Sequence, residues 1–373
     1  MRLAYLSTDP GIAYGGAKGA SVHLAAITEA LAAEGHDVLV LVAAAGPGTS
    51  LPPGVAVEVL PGPEKGASAA ARLAFEDELE TWLERRLERF GADILFERLA
   101  LHSAAGSAAA RRLGIPHLLE VNAPLREEAK RYRRLEEPGA AEKLERQVLS
   151  DADLVFAVSP PLAEYAEIRG ARRVEVLQNA VAVENFARPA RDAVEPVGVF
   201  VGSLRPWHGI ETIAAAWRLL GSSAPPLTVI GDGPSRPLLD GLEASVMGHV
   251  PPALVPALLA GADIGLAPYS ADAPSYFSPL KVFEYLAAGL ATVVADLPAV
   301  TAVVDRDTAV VIPPGNAEAL AEAVASLAAD AAERKRLGEN GRALVAEQHT
   351  WRHRARRLVE AAAEVAEARM VRA

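Results

Sequence analysis

The run Ser278-Pro279-Leu280-Lys281-Val282-Phe283-Glu284-Tyr285-Leu286-Ala287-Ala288-Gly289 holds the residue types best suited to gripping a phosphorylated ligand. Ser278 can accept a backbone N–H as an N-cap, and Pro279 fits the first helical position, where no donor is needed. The pattern predicts a helix over 280–288 that stops at Gly289, a residue suited to the C′ position, followed by a buried strand through Ala291-Thr292-Val293-Val294-Ala295-Asp296. A helix that starts at a turn among strands points bare N–H groups and its positive dipole end outward, which favours a phosphate. Glu284 lies further in, amid Phe283, Tyr285 and Leu286. A carboxylate in so apolar a helix is costly without a partner, and the sugar hydroxyls of a nucleotide would be one. The plainer alternative is an i,i+3 surface pair of Lys281 and Glu284, worth roughly 0.2–0.5 kcal/mol, with Ser-Pro as a cap only.

Other loops carry weaker signals. Ser7 to Gly19 is glycine-rich, with Gly15, Gly16 and Lys18, and leads into a helix. It can bring backbone close to a phosphate or sugar, or serve as a flexible connection, since it lacks the G-x-G-x-x-G register. Val199 to Gly209 places Arg205 and His208 after a strand and a glycine, a place for cations beside a diphosphate; an exposed loop is the alternative. Gly231-Asp232-Gly233-Pro234 reads first as turn chemistry. Glu97-Arg98, His102 and Glu120-Val121-Asn122 fall at or just after strand ends, where they could hold an acceptor, although a lone histidine is more often structural. Arg126, Lys130, Arg131, Arg133 and Arg134 form a basic run, ordinarily a solvated helix face and otherwise a dock for an anionic acceptor or membrane surface. Asp151-Ala152-Asp153 and Asp305-Arg306-Asp307 do not lie at strand carboxyl ends. His349 and His353 lack a nearby third ligand, so no required metal is expected. No Gly-x-Ser-x-Gly elbow is present, which weakens a hydrolase assignment.

The elements that must position these loops alternate between strand and helix. Strand-like runs fall at 3–6, 38–42, 55–60, 93–96, 117–121, 153–158 and 174–176, with helical patterns at 22–33, 70–90 and 103–113 between them. A second set of strands falls at 197–201, 227–230, 263–267, the strand at Thr292, and 309–312, with helices at 210–220, 280–288 and 317–327. The fold class is α/β, with parallel sheets covered by helices on both faces. The segment Val183–Pro196 reads as a linker, giving domains 1–182 and 183–350 and a last Arg- and Ala-rich helix from Trp351 to about Arg369. Two open α/β domains are expected to place their ligand in the cleft between them, at the carboxyl ends of the strands.

A chain of 373 residues suits two domains, and 51% hydrophobic content marks it as globular. A net charge of −11 argues against nucleic acid as a main partner. The absence of cysteine fits a reducing cytoplasm. The N-terminus turns polar too soon for a signal peptide, and no run of about 18 apolar residues occurs. A cytoplasmic protein with a small-molecule, glycan or peripheral lipid-linked partner is expected.

Taken together, these segments resemble the retaining glycosyltransferases of the GT-B fold, family 4 (group 1). The resemblance covers nearly the whole chain and is strongest through Val199–Gly209, Val229–Pro234, Gly261–Pro268 and Phe277–Asp296, with Pro313-Pro314-Gly315, Leu337-Gly338 and His349-Thr350-Trp351 also familial. It implies two Rossmann-like domains facing across a cleft, with the final helix crossing back to the first. The implied activity is transfer of a sugar from a nucleotide-sugar to an acceptor with anomeric configuration kept, needing no cofactor or metal. Glu284 matches the ribose-binding glutamate, Ser278, Pro279 and Leu280 match the backbone that meets the diphosphate, and Gly15 and Gly16 match the loop against the donor. Ser203, His208, Gly231 and Tyr276 join this donor set. Arg205, Lys281 and His102 are the catalytic candidates, and Lys18, Arg98, Glu120 and Asn122 the acceptor candidates.

Three departures point to a specialised subfamily. Tyr276 stands where the paired-glutamate motif has another Glu eight residues before Glu284. Ser203 and His208 replace the usual Arg and Lys of the phosphate loop, leaving Arg205 and Lys281 to supply charge. Gln178-Asn179-Ala180-Val181-Ala182 replaces Pro-Asn-Gly-Val-Asp. A nucleotide-sugar 2-epimerase-like isomerase and a non-catalytic nucleotide-sugar-binding subunit remain alternatives. A dinucleotide oxidoreductase fits less well, because Ala43-Ala44-Ala45 stands where a ribose-binding acid belongs. High Ala and Arg content hints at a GC-rich bacterial gene.

Overall fold

The computed structural model describes residues 1–16, 18–46, 51–64, 66–186 and 195–372. The chain divides into two compact units, Met1–Gln178 together with Trp351–Ala373, and Asn179–Thr350. Most of the expected linker, 187–194, and Ala17 of the glycine loop lie outside the described residues.

The first unit runs β1 (Arg2–Ser7), β2 (Ala13–Tyr14), α1 (Gly19–Ala33), β3 (Asp37–Val42), β4 (Ala44–Ala45), β5 (Val55–Val59), α2 (Ala69–Ala74), α3 (Glu76–Phe90), β6 (Ile94–Arg98), α4 (Ala105–Leu113), β7 (His117–Val121), α5 (Leu125–Tyr132), α6 (Pro138–Asp151), β8 (Leu154–Ala157), α7 (Pro160–Ile168) and β9 (Val174–Val176). Seven strands form a parallel sheet in the order β5-β3-β1-β6-β7-β8-β9. A parallel sheet is covered on both faces, so its strands read as continuous apolar runs: Leu3–Leu6 and Val38–Val42 are all buried. The α3 stripe Leu79, Leu83 and Leu87 packs with α4 on Ala4, Leu6, Leu39, Leu41 and Leu95. Fully burying one such leucine is worth about 2 kcal/mol.

The pattern at 70–90 predicts one long helix, but the structure has two, broken at Phe75. Ser68 caps the first by accepting the Ala71 N–H at 3.2 Å. The second starts afresh with Glu76, Asp77 and Glu78 in its first turn, where acids favour the dipole.

The second unit runs β10 (Gly198–Val201), α8 (Ile210–Leu220), β11 (Leu227–Ile230), β12 (Ala244–Gly248), α9 (Val255–Leu259), β13 (Ile264–Ala267), α10 (Leu280–Ala287), β14 (Ala291–Ala295), α11 (Pro298–Thr301), β15 (Val310–Ile312), α12 (Ala317–Ala329) and α13 (Ala331–Gln348). Its six strands are parallel in the order β12-β11-β10-β13-β14-β15. The helix α13 has no counterpart in the sequence reading, because Gly338 and Gly341 interrupt its pattern. Gly341 has a packing reason: a Cβ there would sit 2.6 Å from Leu286 Cδ2 of α10.

The chain then adds α14 (Trp351–Arg372) to the first unit. The rings of Trp351 and His23 of α1 meet at right angles, with centroids 4.8 Å apart. Arg356 Nε donates to Glu34 at 2.7 Å, Arg357 Nε to Glu175 at 2.7 Å, and Arg369 Nη2 to Asp153 at 2.8 Å. Among the described residues, no helix is long and apolar enough to cross a membrane.

Candidate functional site

In the second unit, α10 follows a loop after β13 and stands beside the glycine loop after β10. Three contacts fix it there. Tyr285 Oη accepts the Val201 N–H at 2.8 Å and donates to the Leu266 carbonyl at 3.3 Å. Gly265 admits that ring, since a Cβ would lie 2.7 Å from Tyr285 Cγ. Gly289 ends the helix in the left-handed region at φ +67°, as its C′ assignment requires.

The helix start differs from expectation. Pro279 is the capping residue, and Ser278 does not cap. Its Oγ accepts the Asn179 N–H at 3.3 Å instead, and the Leu280 and Val282 N–H groups turn back to the Ser278 and Pro279 carbonyls, each at 2.9 Å. The first turn therefore offers fewer bare donors than a Ser-capped start would.

Lys281 supplies what the backbone does not. It is 7% exposed, and its Nζ has no hydrogen-bond partner among the described residues. The ammonium sits 4.0 Å above the Phe200 ring centroid and 5.1 Å from that of Tyr269. Gly202, at φ +135°, leaves room for it: a Cβ there would be 3.1 Å from Nζ. Burial pulls the Lys281 pKa down to about 7, against the pull of the Glu284 carboxylate. Burial likewise lifts Glu284 to about 7, with Lys281 opposing. The surface-pair alternative is thereby excluded, because Lys281 is inside the protein and burial, which the attraction between the two groups only opposes, shifts both.

His208 is not the cation that its place in the phosphate loop suggests. Its Nδ1 meets the Ser203 carbonyl oxygen, so Nδ1 carries the proton. Burial, then the Lys281 charge, hold its pKa down to about 3, and the imidazole is neutral at physiological pH. Arg205 and Ser203 are exposed, and Tyr276 is half-buried. Trp207 and Phe277, with ring centroids 5.6 Å apart, join the buried Tyr269 in an aromatic cluster beside Lys281. Gly209 and Gly231 serve close backbone approach: a Cβ would fall 2.6 Å from the Pro268 carbonyl carbon and 2.8 Å from that of Gly202 respectively.

In the first unit, polar side chains gather at the carboxyl ends of β1, β6 and β7. Glu120 is 3% exposed and is held by four partners. His23 Nε2 lies at 2.5 Å, Tyr5 Oη at 3.1 Å and Arg98 Nη1 at 3.3 Å, and Asn122 Nδ2 also donates to it. Burial alone would raise its pKa; His23 and Arg98 outweigh it and bring the carboxyl down to about 2. Glu97 and Arg98 are the last two residues of β6, at the strand end as expected, and are buried. Glu97 is bonded to His117 Nε2 at 2.9 Å. His102 takes φ +65°, in the left-handed region that a side chain rarely adopts. Its Nε2 bonds the Glu136 carbonyl at 2.9 Å, and its Nδ1 is buried without a partner among the described residues.

Two family models match the chain: "Glycosyl transferase 4-like domain" over residues 18–182 and "Glycosyl transferases group 1" over residues 195–330. The chain belongs to the group 1 glycosyltransferases. No curated protein sequence matches. Among solved structures, sucrose-phosphate synthase from Thermosynechococcus elongatus superposes with a TM-score of 0.75 at 18% identity, covering 98% of this chain and 99% of that one. Anabaena HepE in complex with UDP gives 0.72 at 15%, covering 98% and 100%. The catalytic domain of starch synthase IV from Arabidopsis thaliana, bound to ADP and acarbose, gives 0.70 at 10%, covering 98% and 99%. The fold is GT-B.

In this glycosyltransferase the structure brings Ser203, His208, Gly231 and Lys281 to one edge of the second sheet, with Arg205, Tyr276 and Glu284 on the adjoining loops and helix. Gly15 and Gly16 lie after β2, with Gly15 at φ +74° and Gly16 packed on Ser21. Lys18 caps α1 and donates to the Gly11 carbonyl at 3.2 Å. Arg98 and Glu120 are committed to each other. Arg126 is not part of a solvated face: it is 6% exposed, with Nη1 on Glu142 at 2.7 Å and Nε 3.4 Å from Glu145. Phe200 and Tyr269 were not anticipated. Their signal is indirect, an aromatic residue at the end of each strand that flanks a buried lysine.

Proposed function

We propose that this enzyme is a retaining, family 4 hexosyltransferase that moves a sugar from a nucleoside-diphosphate donor to an acceptor hydroxyl without a metal. The observation that carries this is the buried, unpartnered Lys281 ammonium at the carboxyl edge of the second sheet. A cation kept out of water with no hydrogen bond is costly; the Glu284 carboxylate offsets only part of this, and an arriving diphosphate would complete it. Structures of HepE with UDP and with UDP-glucose support a donor of this kind.

In the proposed reaction Lys281 and Arg205 stabilise the negative charge that develops on the diphosphate as the anomeric C–O bond breaks. The backbone at Ser278, Pro279 and Leu280 meets the phosphates once the Leu280 N–H leaves the Ser278 carbonyl, and Glu284 accepts from the ribose hydroxyls. Neutral His208 offers Nε2 as a hydrogen-bond acceptor. By the family resemblance Gly15 and Gly16 belong to the donor set, and His102, Asn122 and Lys18 serve the acceptor. The acceptor oxygen bonds to the anomeric carbon on the face that the diphosphate leaves, and its proton passes to a diphosphate oxygen.

The test is thermal stabilisation by UDP, GDP, ADP and dTDP with their common sugars. A ligand at about 100 times its dissociation constant adds roughly 2.7 kcal/mol. One nucleotide should stabilise the wild type and not Glu284→Ala, and Arg205→Ala should chiefly lower turnover. Unchanged binding and kinetics in both variants would refute the assignment.

A further inference from the structure

The helix α4 begins at the carboxyl edge of the first sheet, the kind of helix start that in α/β proteins seats an anionic group. In this chain the seat is filled from within. Glu76, the first residue of α3, turns its carboxylate onto it. One oxygen, Oε1, accepts from Ser103 Oγ at 3.1 Å, from the Ala104 N–H at 2.5 Å and from the Ala105 N–H at 2.7 Å. A second acid stands behind it: Gly106, in the first turn of α4, has room only for hydrogen, because a Cβ would lie 2.6 Å from Glu97 Cδ. Burial raises the Glu76 pKa, the three donors oppose this, and the Glu97 charge raises it further.

The remaining polar atoms of that edge are of one kind. Ser7 Oγ, Thr8 Oγ1, His102 Nδ1 and Asn122 Oδ1 are buried and have no hydrogen-bond partner among the described residues. They follow or end β1, β6 and β7; β6 lies between the other two, so the three strands share one edge. Ser7 is 0% exposed and His102 4%. Of the cations of this unit, Arg98 and His23 bind the buried Glu120, and Lys18, exposed, donates to the Gly11 carbonyl. Hydroxyl, amide and imidazole groups in want of partners suit a hydroxylated ring; to a phosphate or carboxylate they offer neutral hydrogen bonds and no positive charge.

We propose that Glu76 sets acceptor choice: its carboxylate occupies the anion seat of α4, so the edge takes a neutral, hydroxyl-bearing acceptor group and turns away a phosphorylated or carboxylated one. This rests on the transferase assignment above, which the donor panel judges independently.

The experiment has two arms. In the first, inorganic phosphate is titrated against the full chain carrying Lys281→Met, with and without Glu76→Gln. The Lys281→Met background silences the proposed phosphate seat of the second unit. The amide removes the charge and leaves Ser103, Ala104 and Ala105 only a neutral acceptor, which phosphate can displace, so phosphate affinity should rise at least tenfold. Equal affinity overturns the proposal. In the second arm, wild-type transfer to glucose and methyl glucoside is compared with transfer to glucose 6-phosphate and glucuronate, using the donor that the panel identifies. The kcat/KM ratio should favour the neutral acceptors at least tenfold, and Glu76→Gln should move that ratio toward the charged ones through KM. A purely structural cap would scale all acceptors alike. A fixed ratio, or a wild type that uses glucose 6-phosphate as readily as glucose, overturns the proposal.

Discussion

Replacing Lys281 with methionine should make the second unit more stable while abolishing its grip on nucleotide. The side chains are similar in length, so packing against Phe200 and Tyr269 is kept. What changes is the cost of a buried charge. The Lys281 pKa falls from 10.5 to about 7 on folding, and at about 1.4 kcal/mol per pH unit that is roughly 4–5 kcal/mol of destabilisation at pH 7. Against this stand the two cation–ring contacts, worth about 1–2 kcal/mol; the attraction of Glu284 is already contained in the shift. The net gain is about 2–4 kcal/mol. For a unit of this size it amounts to a rise of about 5–15 °C in its unfolding midpoint.

The sign with pH follows from the direction of the shift. The folded pKa lies below the unfolded one, so between about pH 7 and 10.5 the unfolded chain holds more protons, and wild-type stability rises with pH across that window. The methionine variant lacks this rise, and its advantage should be full at pH 7 and fade toward pH 10. Calorimetry of the full chain at pH 7, 8.5 and 10, repeated with nucleotide, checks both halves, following the transition of the second unit because two units need not unfold together. A variant less stable at pH 7, with the wild-type pH slope intact and nucleotide still bound, would refute the reasoning.

Glu120→Gln should destabilise the first unit by about 2–3 kcal/mol at pH 7. The Glu120 pKa is depressed on folding to about 2, so its contribution is present above about pH 4.5 and lost as pH falls toward 2; urea unfolding at pH 7 and pH 3 should show the gap between wild type and variant closing. Gly209→Ala should cost about 3 kcal/mol or more, since the residue takes φ +81° and a Cβ would press on the Pro268 carbonyl; a midpoint within 1–2 °C of wild type would contradict this. In the same variant nucleotide stabilisation should fall, because Gly209 positions the loop that carries His208.

The sequence made the sheets legible because parallel strands buried on both faces are written as unbroken apolar runs. Val38–Val42 and Ala291–Ala295 could hardly be anything else. Helices were read where one face is apolar, as at Leu79, Leu83 and Leu87, and missed where glycine or charge blurs the pattern, as in α13. The site divides the same way. Lys281 and Glu284 stood out by being charged in an apolar helix, but only the fold shows that Lys281 is buried over Phe200 and Tyr269, which lie far from it in sequence. The neutral state of His208 depends on the Ser203 carbonyl and on Lys281, and spacing along the chain records neither. Arg126 was read as solvated because its partner Glu145 lies on a later helix. Pairing across elements is the information that local pattern lacks.

The placement of α14 has a consequence for synthesis. The first unit is discontinuous, with Asn179–Thr350 inserted between its main part and its last helix. On a ribosome the first unit therefore waits, with the α1 face around His23 uncovered and Glu34, Asp153 and Glu175 without their arginines, until the second unit has been made. The second unit is contiguous and can fold as soon as it emerges. The half translated first is thus the last to be completed, and it is the half whose apolar surface a chaperone would have to shield in the interval.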